Sequence, residues 1–396
     1  MEMRWNMAFR KILGWPRNIM VGAGALKDLG STIKDMGKGR VILITDNGLK
    51  DLPIIGDTVD MLKNDGLEVS LFSDVGPNPT VAMIESAVAV MKDVKPDIIV
   101  SIGGGSPIDT GKVANVVYTH GGSAIEYDSL KGGLAKIKPI LLPLIAVPTT
   151  AGTGAEVTFV GVITNSETHV KFGVGSPLLM PDIALLDPEA TVSLPPKITA
   201  YTGLDTLTHA IEAYVSAGAV AFGDAFAMQV IKIVSRTLKT AVEKGDDIQA
   251  REKMIMASAM GGMAFIFSGL GVCHGMSHPL SAHFGIPHGL AYAMMLKKSM
   301  EYNIDANLQR FAEIAQAMGA DINGLSLEDA AQKSIDVVGD LLSDLEIPIY
   351  LDDVGAMKDK VPELAVDALG DNVMRNNPRK ATLEEIEALY LTSFRP

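Results

Sequence analysis

Four histidines lie within fifteen positions of this chain, at residues 274 to 288, although the whole sequence of 396 residues contains only seven. Upstream, Asp205 and His209 are four residues apart and would share one face of a helix. His274 and His278 repeat this spacing. A carboxylate with imidazoles suits borderline divalent ions such as Fe(II), Zn(II), Co(II) or Ni(II). The two clusters together predict one metal site, and the alternative is a set of hydrogen-bonded core histidines.

A second motif that can bind a ligand is the glycine-rich stretch GGGSPID at residues 103–109. Its glycines let a ligand approach the backbone, Ser106 suits a helix N-cap, Pro107 suits the first helical position, and Asp109 has the spacing of a capping box. A helix N-terminus binds phosphate, so the motif predicts a pyrophosphate site. The alternative is a tight strand-to-helix turn without a ligand.

Five further polar residues are candidate ligand contacts. Asp46 follows a β-branched run, where a carboxylate can accept hydrogen bonds from a ribose and repel a 2′-phosphate, which favours NAD over NADP; alternatively it only caps the Asn-Gly turn. Thr149, Thr150 and Thr153 are predicted to form a second ligand loop, or a self-bonded turn. Lys171, taken alone, is interpreted as an exposed surface lysine.

The elements that position these residues change in character along the chain. Buried parallel strands are predicted at residues 40–46, 97–102, 139–147 and 182–187, each β-branched or apolar and followed by a turn. After about residue 191 long segments rich in alanine, methionine and leucine predict helices. We therefore expect an α/β domain over residues 1–190 and a helical domain over residues 191–396, with methionines as core filling.

Composition narrows the classes of partner. The formal net charge of −13 and the absence of clustered Lys and Arg argue against nucleic acid. The N-terminal twenty residues lack the apolar segment of a secretory signal, and the most apolar run, Pro139 to Pro148, is too short to span a membrane. The single cysteine, Cys273, cannot form an internal disulfide, which fits a reducing compartment. We expect a cytoplasmic protein without a membrane partner.

Several ordered segments resemble one known family. LLDPEAT, the stretch Gly203 to Glu212, GVCHGMSHPLSA and IPHG look like signature segments of the iron-containing (group III) alcohol dehydrogenases, and the likeness extends upstream through TDNGL, GPNPT, GGGSPID and PTTAGTGAE. It covers roughly residues 20 to 300. The resemblance implies an N-terminal Rossmann-like domain with a parallel sheet, a C-terminal all-helical domain, and an active site in the cleft between them.

Residue by residue, the resemblance implies functional roles. The implied metal ligands are Asp205, His209, His274 and His288. His278 remains as a nearby non-ligand that relays a proton, and His283 matches no ligand position. The implied cofactor contacts are Asp46, Asn78, Gly104, Gly105, Ser106, Thr149, Thr150, Thr153 and Lys171. NAD and Fe(2+), or Zn(2+) or another divalent ion, are the implied cofactors, and a homo-oligomer is the implied assembly.

These observations lead to a hypothesis about function. A metal-assisted hydride transfer would interconvert a short-chain primary alcohol or diol and its aldehyde, with NAD as hydride acceptor. Alternatives within the resemblance are a 1,3-propanediol dehydrogenase, a lactaldehyde reductase, a zinc-dependent glycerol dehydrogenase-like enzyme and a dehydroquinate synthase-like lyase. The last two resemble the fold but use fewer histidine ligands. A non-catalytic metal- or nucleotide-binding protein is the alternative of a different class.

Overall fold

A computed structural model describes residues 16–167 and 170–396 of the chain. Most of the segment in which a secretory signal was considered, residues 1–15, lies outside the described residues, and so does His169. The strands are β1 Asn18–Val21, β2 Arg40–Ile44, β3 Glu68–Phe72, β4 Ile98–Gly103, β5 Leu144–Pro148, β6 Val160–Asn165, β7 Val170–Gly175 and β8 Ile183–Leu186.

Four helices lie between these strands in the sequence, and the others follow the last strand. They are α1 Leu29–Asp35, α2 Pro53–Asn64, α3 Val81–Val94, α4 Gly105–His120, α5 Pro196–Val215, α6 Ala221–Glu243, α7 Ile248–Ser268, α8 Val272–Phe284, α9 His288–Asn303, α10 Leu308–Ala317, α11 Leu327–Asp344, α12 Val361–Gly370 and α13 Leu383–Leu391. The predicted fold class, a parallel-sheet α/β domain followed by an all-helical domain, is confirmed.

The N-terminal sheet has six parallel strands in the order β1-β8-β5-β4-β2-β3. Strands β4 and β5 are buried along their whole length, because apolar clusters cover both faces of the sheet. Since the strands are parallel, the ends of β2, β4 and β5 meet at one edge, where ligands of open α/β sheets bind. This edge carries Asp46, the glycine motif and the threonine loop.

Two details of the sheet differ from the prediction. The strand predicted at residues 139–147 begins only at Leu144, because Pro139 and Pro143 have no N–H to donate to a neighbouring strand. The hairpin of β6 and β7 was not predicted; it is a separate antiparallel pair in which Thr164 lies opposite Lys171. Lys171 is therefore a half-buried strand residue and not an exposed surface lysine.

The C-terminal domain has one continuous apolar core that joins its helices. Helices α5 and α8 are buried over most of their length, so their polar residues face protein and not solvent. Within the described residues, no individual helix has both the length and the apolar character to cross a membrane; α7 and α8 meet that requirement only as a pair bent by 112°.

Candidate active site

The glycine motif forms a close-packed turn against the threonine loop. Gly103 has φ 154°, which side-chain-bearing residues rarely adopt, and a Cβ on it would lie 2.5 Å from Pro107 Cγ. A Cβ on Gly104 would lie 3.3 Å from Thr150 Oγ1, and one on Gly105 would lie 2.9 Å from Thr153 Cγ2. The structure therefore brings together the glycines and threonines that were predicted to contact the cofactor.

Helix α4 begins earlier than the motif predicts. Gly104 is its N-cap, with extended backbone, and no side chain among the described residues caps this end. Ser106 lies inside the first turn, so the prediction that it caps the helix is wrong. Asp109 accepts from the Val162 N–H at 3.0 Å and closes no capping box. The first N–H groups of a 16-residue helix thus keep their capacity to bind an anion.

The two carboxylate oxygens of Asp46 have different surroundings. Its Oδ1 accepts from the N–H groups of Gly48 at 2.9 Å and Leu49 at 3.0 Å, which caps the Asn-Gly turn. Its Oδ2 faces the glycine turn, 3.1 Å from the position of a Cβ on Gly103. Burial raises the pKa of Asp46 above its usual value. Capping the turn therefore leaves a second oxygen directed at the nucleotide edge.

Asn78 and Lys171, the last two predicted cofactor contacts, lie next to and within the hairpin of β6 and β7. Asn78 precedes α3 with a left-handed backbone, φ 56°, and the following Pro79 accepts from the Thr164 N–H at 2.8 Å. Burial lowers the pKa of Lys171 to about 8, although the charges of Asp371, Asp109 and Asp205 oppose this shift. Lys171 is therefore within electrostatic reach of both domains' acidic residues.

The metal candidates meet where α5 and α8 pack together. Asp205 and His209 lie one turn apart on α5, and His274 comes from the first turn of α8. One potential ligand atom from each lies within 4.8 Å of the other two, and Asp205 Oδ1 is 3.6 Å from His209 Nε2. His209 and His274 are 65 residues apart in the sequence, and the fold brings them together with Asp205 in one buried cluster.

Several atoms of these residues are buried without a partner. Among the described residues, Asp205 Oδ1, His209 Nδ1, His274 Nε2 and His288 Nδ1 make no hydrogen bond. Buried polar groups are normally hydrogen-bonded, because leaving one unpaired costs free energy. Burial lowers the pKa of all three imidazoles well below the usual value, so they are neutral and able to ligate. The donor set therefore fits a divalent cation.

His288 lies beside the three-residue group at the start of α9. It reaches this place because Gly289 packs on α5, where a Cβ would lie 2.5 Å from Tyr201 O. Its Nε2 is hydrogen-bonded to Tyr292 Oη at 2.8 Å, and its ring stacks on His278 with centroids 5.7 Å apart. His288 is thus a neighbour of His278 and not one of the three residues whose ligand atoms converge, and its role as the fourth ligand stays a prediction.

The two remaining histidines of the cluster have different surroundings. His278 Nδ1 pairs with Asp371 Oδ2 at 2.6 Å, and its ring lies 6.0 Å from that of His274. His283 Nε2 pairs with Asp367 at 2.7 Å in a partly exposed position. His278 therefore faces the metal candidates, and His283 belongs to a separate ion pair.

The sequence interpretation missed three residues of the site. Glu212 accepts from His274 Nδ1, Asp371 pairs with His278, and the Tyr292 ring packs on His274 with centroids 4.1 Å apart. Glu212 has a local signal, since it lies three residues after His209 on the same helix face. Asp371 has none, because 93 residues separate it from His278.

The cofactor edge and the metal cluster are joined by direct contacts. Thr206, next to Asp205, donates from its hydroxyl to Ala151 O at 3.1 Å in the threonine loop. Gly154 at the end of that loop meets α7 so closely that a Cβ on it would lie 2.7 Å from Gly262 Cα. The segments that carry the two predicted sites are therefore in direct contact.

Comparison with known proteins agrees with this arrangement. The family described as "Iron-containing alcohol dehydrogenase" matches residues 16–188, and "Fe-containing alcohol dehydrogenase family, C-terminal" matches residues 199–394. The chain is 40% identical over 375 residues to 1,3-propanediol dehydrogenase of Klebsiella pneumoniae, covering 94% of this chain and 96% of that protein. It is 38% identical over 388 residues to lactaldehyde reductase of Escherichia coli (strain K12), covering 98% and 100%.

A solved structure shows the same architecture. The crystal structure of a 1,3-propanediol oxidoreductase superposes with a TM-score of 0.93 at 40% identity, over 96% of this chain and 99% of that chain. Both matched family segments, the relatives and the fold point the same way. The chain belongs to the iron-containing alcohol dehydrogenase family and is an enzyme that interconverts alcohols and aldehydes.

Proposed function

We propose that the chain is an NAD-dependent dehydrogenase that uses a divalent cation, Fe(2+) in the family's usual form, to interconvert a short-chain primary alcohol or diol and its aldehyde. The observation that carries the metal requirement is the convergence of Asp205, His209 and His274, in which Asp205 Oδ1 and His274 Nε2 are buried without a partner among the described residues. Asp205, His209, His274 and His288 would hold the cation. When bound, it supplies Lewis-acid polarisation of the substrate oxygen.

The chain's own residues divide the remaining work. The N-terminus of α4 at Gly104, Gly105 and Ser106 would bind the pyrophosphate through backbone N–H groups. The hydroxyls of Thr149, Thr150 and Thr153 border this turn, and with Asn78 and Lys171 they would hold the rest of the nucleotide. The contacts between Thr206 and the threonine loop support a nicotinamide held next to the metal ligands.

His278 is the proposed proton-transfer residue. Its Nδ1 is hydrogen-bonded to Asp371, so the ring is oriented and Nε2 is left for exchange of a proton with the substrate hydroxyl. Asp46 supports NAD over NADP, because its Oδ2 is directed at the nucleotide edge, where it would accept from ribose hydroxyls and repel a 2′-phosphate.

The substrate class is supported by the two relatives named for 1,3-propanediol and lactaldehyde. The test is oxidation of ethanol, 1-butanol, 1,3-propanediol, 1,2-propanediol and glycerol by the anaerobically purified chain, with NAD or NADP and with Fe(2+) or Zn(2+) restored after chelation. We expect Fe(2+)-restored activity with NAD on short primary alcohols or diols. Equal activity before and after metal removal would contradict the metal role, and preference for NADP would contradict that of Asp46.

Three coarser features belong to the same proposal. The domain boundary is proposed at residues 190/191, between the family matches that end at 188 and begin at 199. A cytoplasmic location is supported by the single cysteine, Cys273, which is a buried free thiol. A homo-oligomer without nucleic-acid or membrane partners is supported by the family resemblance and the net charge of −13.

A further inference from the structure

Helix α8 begins without a capping side chain of its own. Its N-cap is Gly271, and the first N–H groups are satisfied by side chains from distant segments. Cys273 N–H donates to Glu212 Oε1 at 2.6 Å, and Val272 N–H donates to Asn377 Oδ1 at 3.0 Å. Two residues thus share the capping of the helix that carries His274.

Only one of these two caps also contacts a metal candidate. The second oxygen of Glu212, Oε2, is hydrogen-bonded to His274 Nδ1. An ionised carboxylate can only accept, so with Glu212 in that form both oxygens are acceptors and the imidazole donates from Nδ1. The same imidazole's Nε2 is buried and has no partner among the described residues, and His274 belongs to the group with Asp205 and His209.

The position of Glu212 on α5 gives this contact a further consequence. Asp205, His209 and Glu212 lie at intervals of four and three residues along one face of the same helix. Glu212 is 5% exposed, and a Cβ on Gly271 would lie 3.2 Å from its Oε1, so the carboxylate has little room to move. One carboxylate thus connects the helix that carries two ligands to the helix that carries the third.

We propose that Glu212 is a positioning residue of the metal site: it holds His274 in the Nδ1–H tautomer, with the Nε2 lone pair directed at Asp205 and His209, and it fixes α8 to α5. The proposal deepens the proposed function and depends on its metal site. Carboxylates that accept from the second nitrogen of a ligating histidine set its tautomer and orientation, and their removal typically weakens metal affinity about 10–100-fold.

An amide in place of the carboxylate separates the two roles of this residue. In Glu212→Gln the shape is kept, but one terminal atom becomes an NH₂ donor. If the amide oxygen keeps the Cys273 N–H, the NH₂ faces His274 Nδ1 and favours the wrong tautomer. If the oxygen turns to His274, the NH₂ meets the Cys273 N–H. Glutamine therefore cannot satisfy both donors at once.

The experiment measures Co(2+) affinity of the full-length, metal-free chain by chelator competition, together with the Co(2+) absorption spectrum. The matched control is Asn377→Ala, which removes the other cap of α8 without touching an imidazole. We expect E212Q to bind Co(2+) about 10–100-fold more weakly with an altered spectrum. We expect N377A to keep near-wild-type affinity while lowering the melting temperature of the metal-free chain.

Several outcomes would overturn the proposal. Wild-type Co(2+) affinity in E212Q would overturn the role of Glu212 and leave the metal site standing. An equal loss of Co(2+) affinity in N377A would assign the effect to the lost helix cap, which also overturns the proposal. A wild-type chain that binds no Co(2+), or an Asp205→Asn variant that binds it normally, overturns the metal site itself and this proposal with it. Should E212Q not fold, ¹⁵N shifts of His274 in the wild-type metal-free chain still decide, because an Nε2–H tautomer contradicts the proposal.

Discussion

Two clusters of buried ionisable residues in this molecule have similar burial but different bonding. In the α/β domain, Lys112 on α4 is 1% exposed, yet its Nζ donates to Ala155 O at 2.7 Å, Thr158 Oγ1 at 2.9 Å and Val160 O at 2.9 Å. Asp109 Oδ1 lies 3.7 Å from the same Nζ. The Lys112 ammonium therefore has all the acceptors that it can use.

The metal cluster of the helical domain is as deeply buried and has the opposite character. Asp205 Oδ1 and His274 Nε2 have no hydrogen-bond partner among the described residues. Burial raises the pKa of Asp205 well above its usual value, and Glu212 adds to this shift. No cationic side chain is hydrogen-bonded to this carboxylate in the described part of the chain, and Lys171 acts on it only through its longer-range charge. A bound cation would supply the partner that Asp205 lacks.

The difference in hydrogen bonding between the two clusters shows which observation identifies a ligand site. Both clusters are buried and both have shifted pKa values: burial lowers the pKa of Lys112 to about 8 and raises that of nearby Glu156 to about 7. Glu156 Oε1 is itself without a partner, but protonation of a carboxyl can remove its charge. The metal site is distinguished by convergence, because one potential ligand atom each of Asp205, His209 and His274 lies within 4.8 Å of the other two. The Lys112 cluster instead supports the loop that follows the threonines.

The largest expected effect is the loss of metal binding when Asp205 in the metal cluster is replaced. Asp205→Asn should reduce metal content to background and lower kcat/KM about 10³-fold or more, because several kcal/mol of Lewis-acid stabilisation are lost. The metal-free variant should melt no lower than the metal-free wild type, since an unpaired buried carboxylate is removed. Metal analysis, kinetics and thermal melting check this prediction. If the metal-free variant melted below the metal-free wild type, the Asp205 carboxylate would stabilise the fold as Lys112 does, and the two clusters would not differ.

The second prediction concerns the Lys112 cluster, in which the ammonium group is fully hydrogen-bonded within the chain. Lys112→Met should lower the free energy of unfolding by about 3 kcal/mol, because it leaves Asp109 buried without its cation, while metal affinity stays unchanged. Lys92→Met, at an exposed position on the neighbouring α3, is the matched control and should change stability by less than about 0.5 kcal/mol. Denaturant unfolding provides the measurement. A loss of metal affinity in the Lys112 variant would mean that the clusters are coupled.

The third prediction tests the boundary of the metal cluster. His278→Ala should lower kcat about 10²-fold through loss of proton transfer and leave metal content intact. His283→Ala on the same helix should change neither, because His283 pairs with Asp367 outside the cluster. Metal analysis of the purified variants, alongside steady-state kinetics, decides the matter. If His278→Ala also loses the metal, His278 is a ligand and the assignment changes.

The smallest expected effect lies at the nucleotide edge. Asp46→Asn keeps an oxygen acceptor for the Gly48 and Leu49 N–H groups but removes the charge that faces a 2′-phosphate. The ratio of kcat/KM for NADP to that for NAD should rise roughly fivefold, since a charge pair in water contributes about 1 kcal/mol. Asp51→Asn, an exposed carboxylate nearby, is the control. An unchanged ratio in the Asp46 variant would leave it only a turn-capping role.

Local sequence was sufficient for much of the fold. The strands at β2, β4 and β8 could be predicted because short, nearly continuous apolar runs are typical of buried parallel strands. The hairpin of β6 and β7 was missed because the sequences VGVITN and VKFGVG do not alternate regularly between apolar and polar residues. The start of α4 was placed wrongly because Gly103, at φ 154°, allows the helix to begin before Ser106.

What the sequence by itself determined is the chemistry of the ligands. Asp205 and His209, four residues apart, must share a helix face wherever that helix packs, and the glycines of residues 103–105 must form a tight turn. What only the tertiary structure decided is the set of partners: Glu212 and Tyr292 on His274, Asp371 on His278, and Lys112 under the threonine loop. These pairs depend on how helices pack across many residues of chain, and no local spacing encodes that packing.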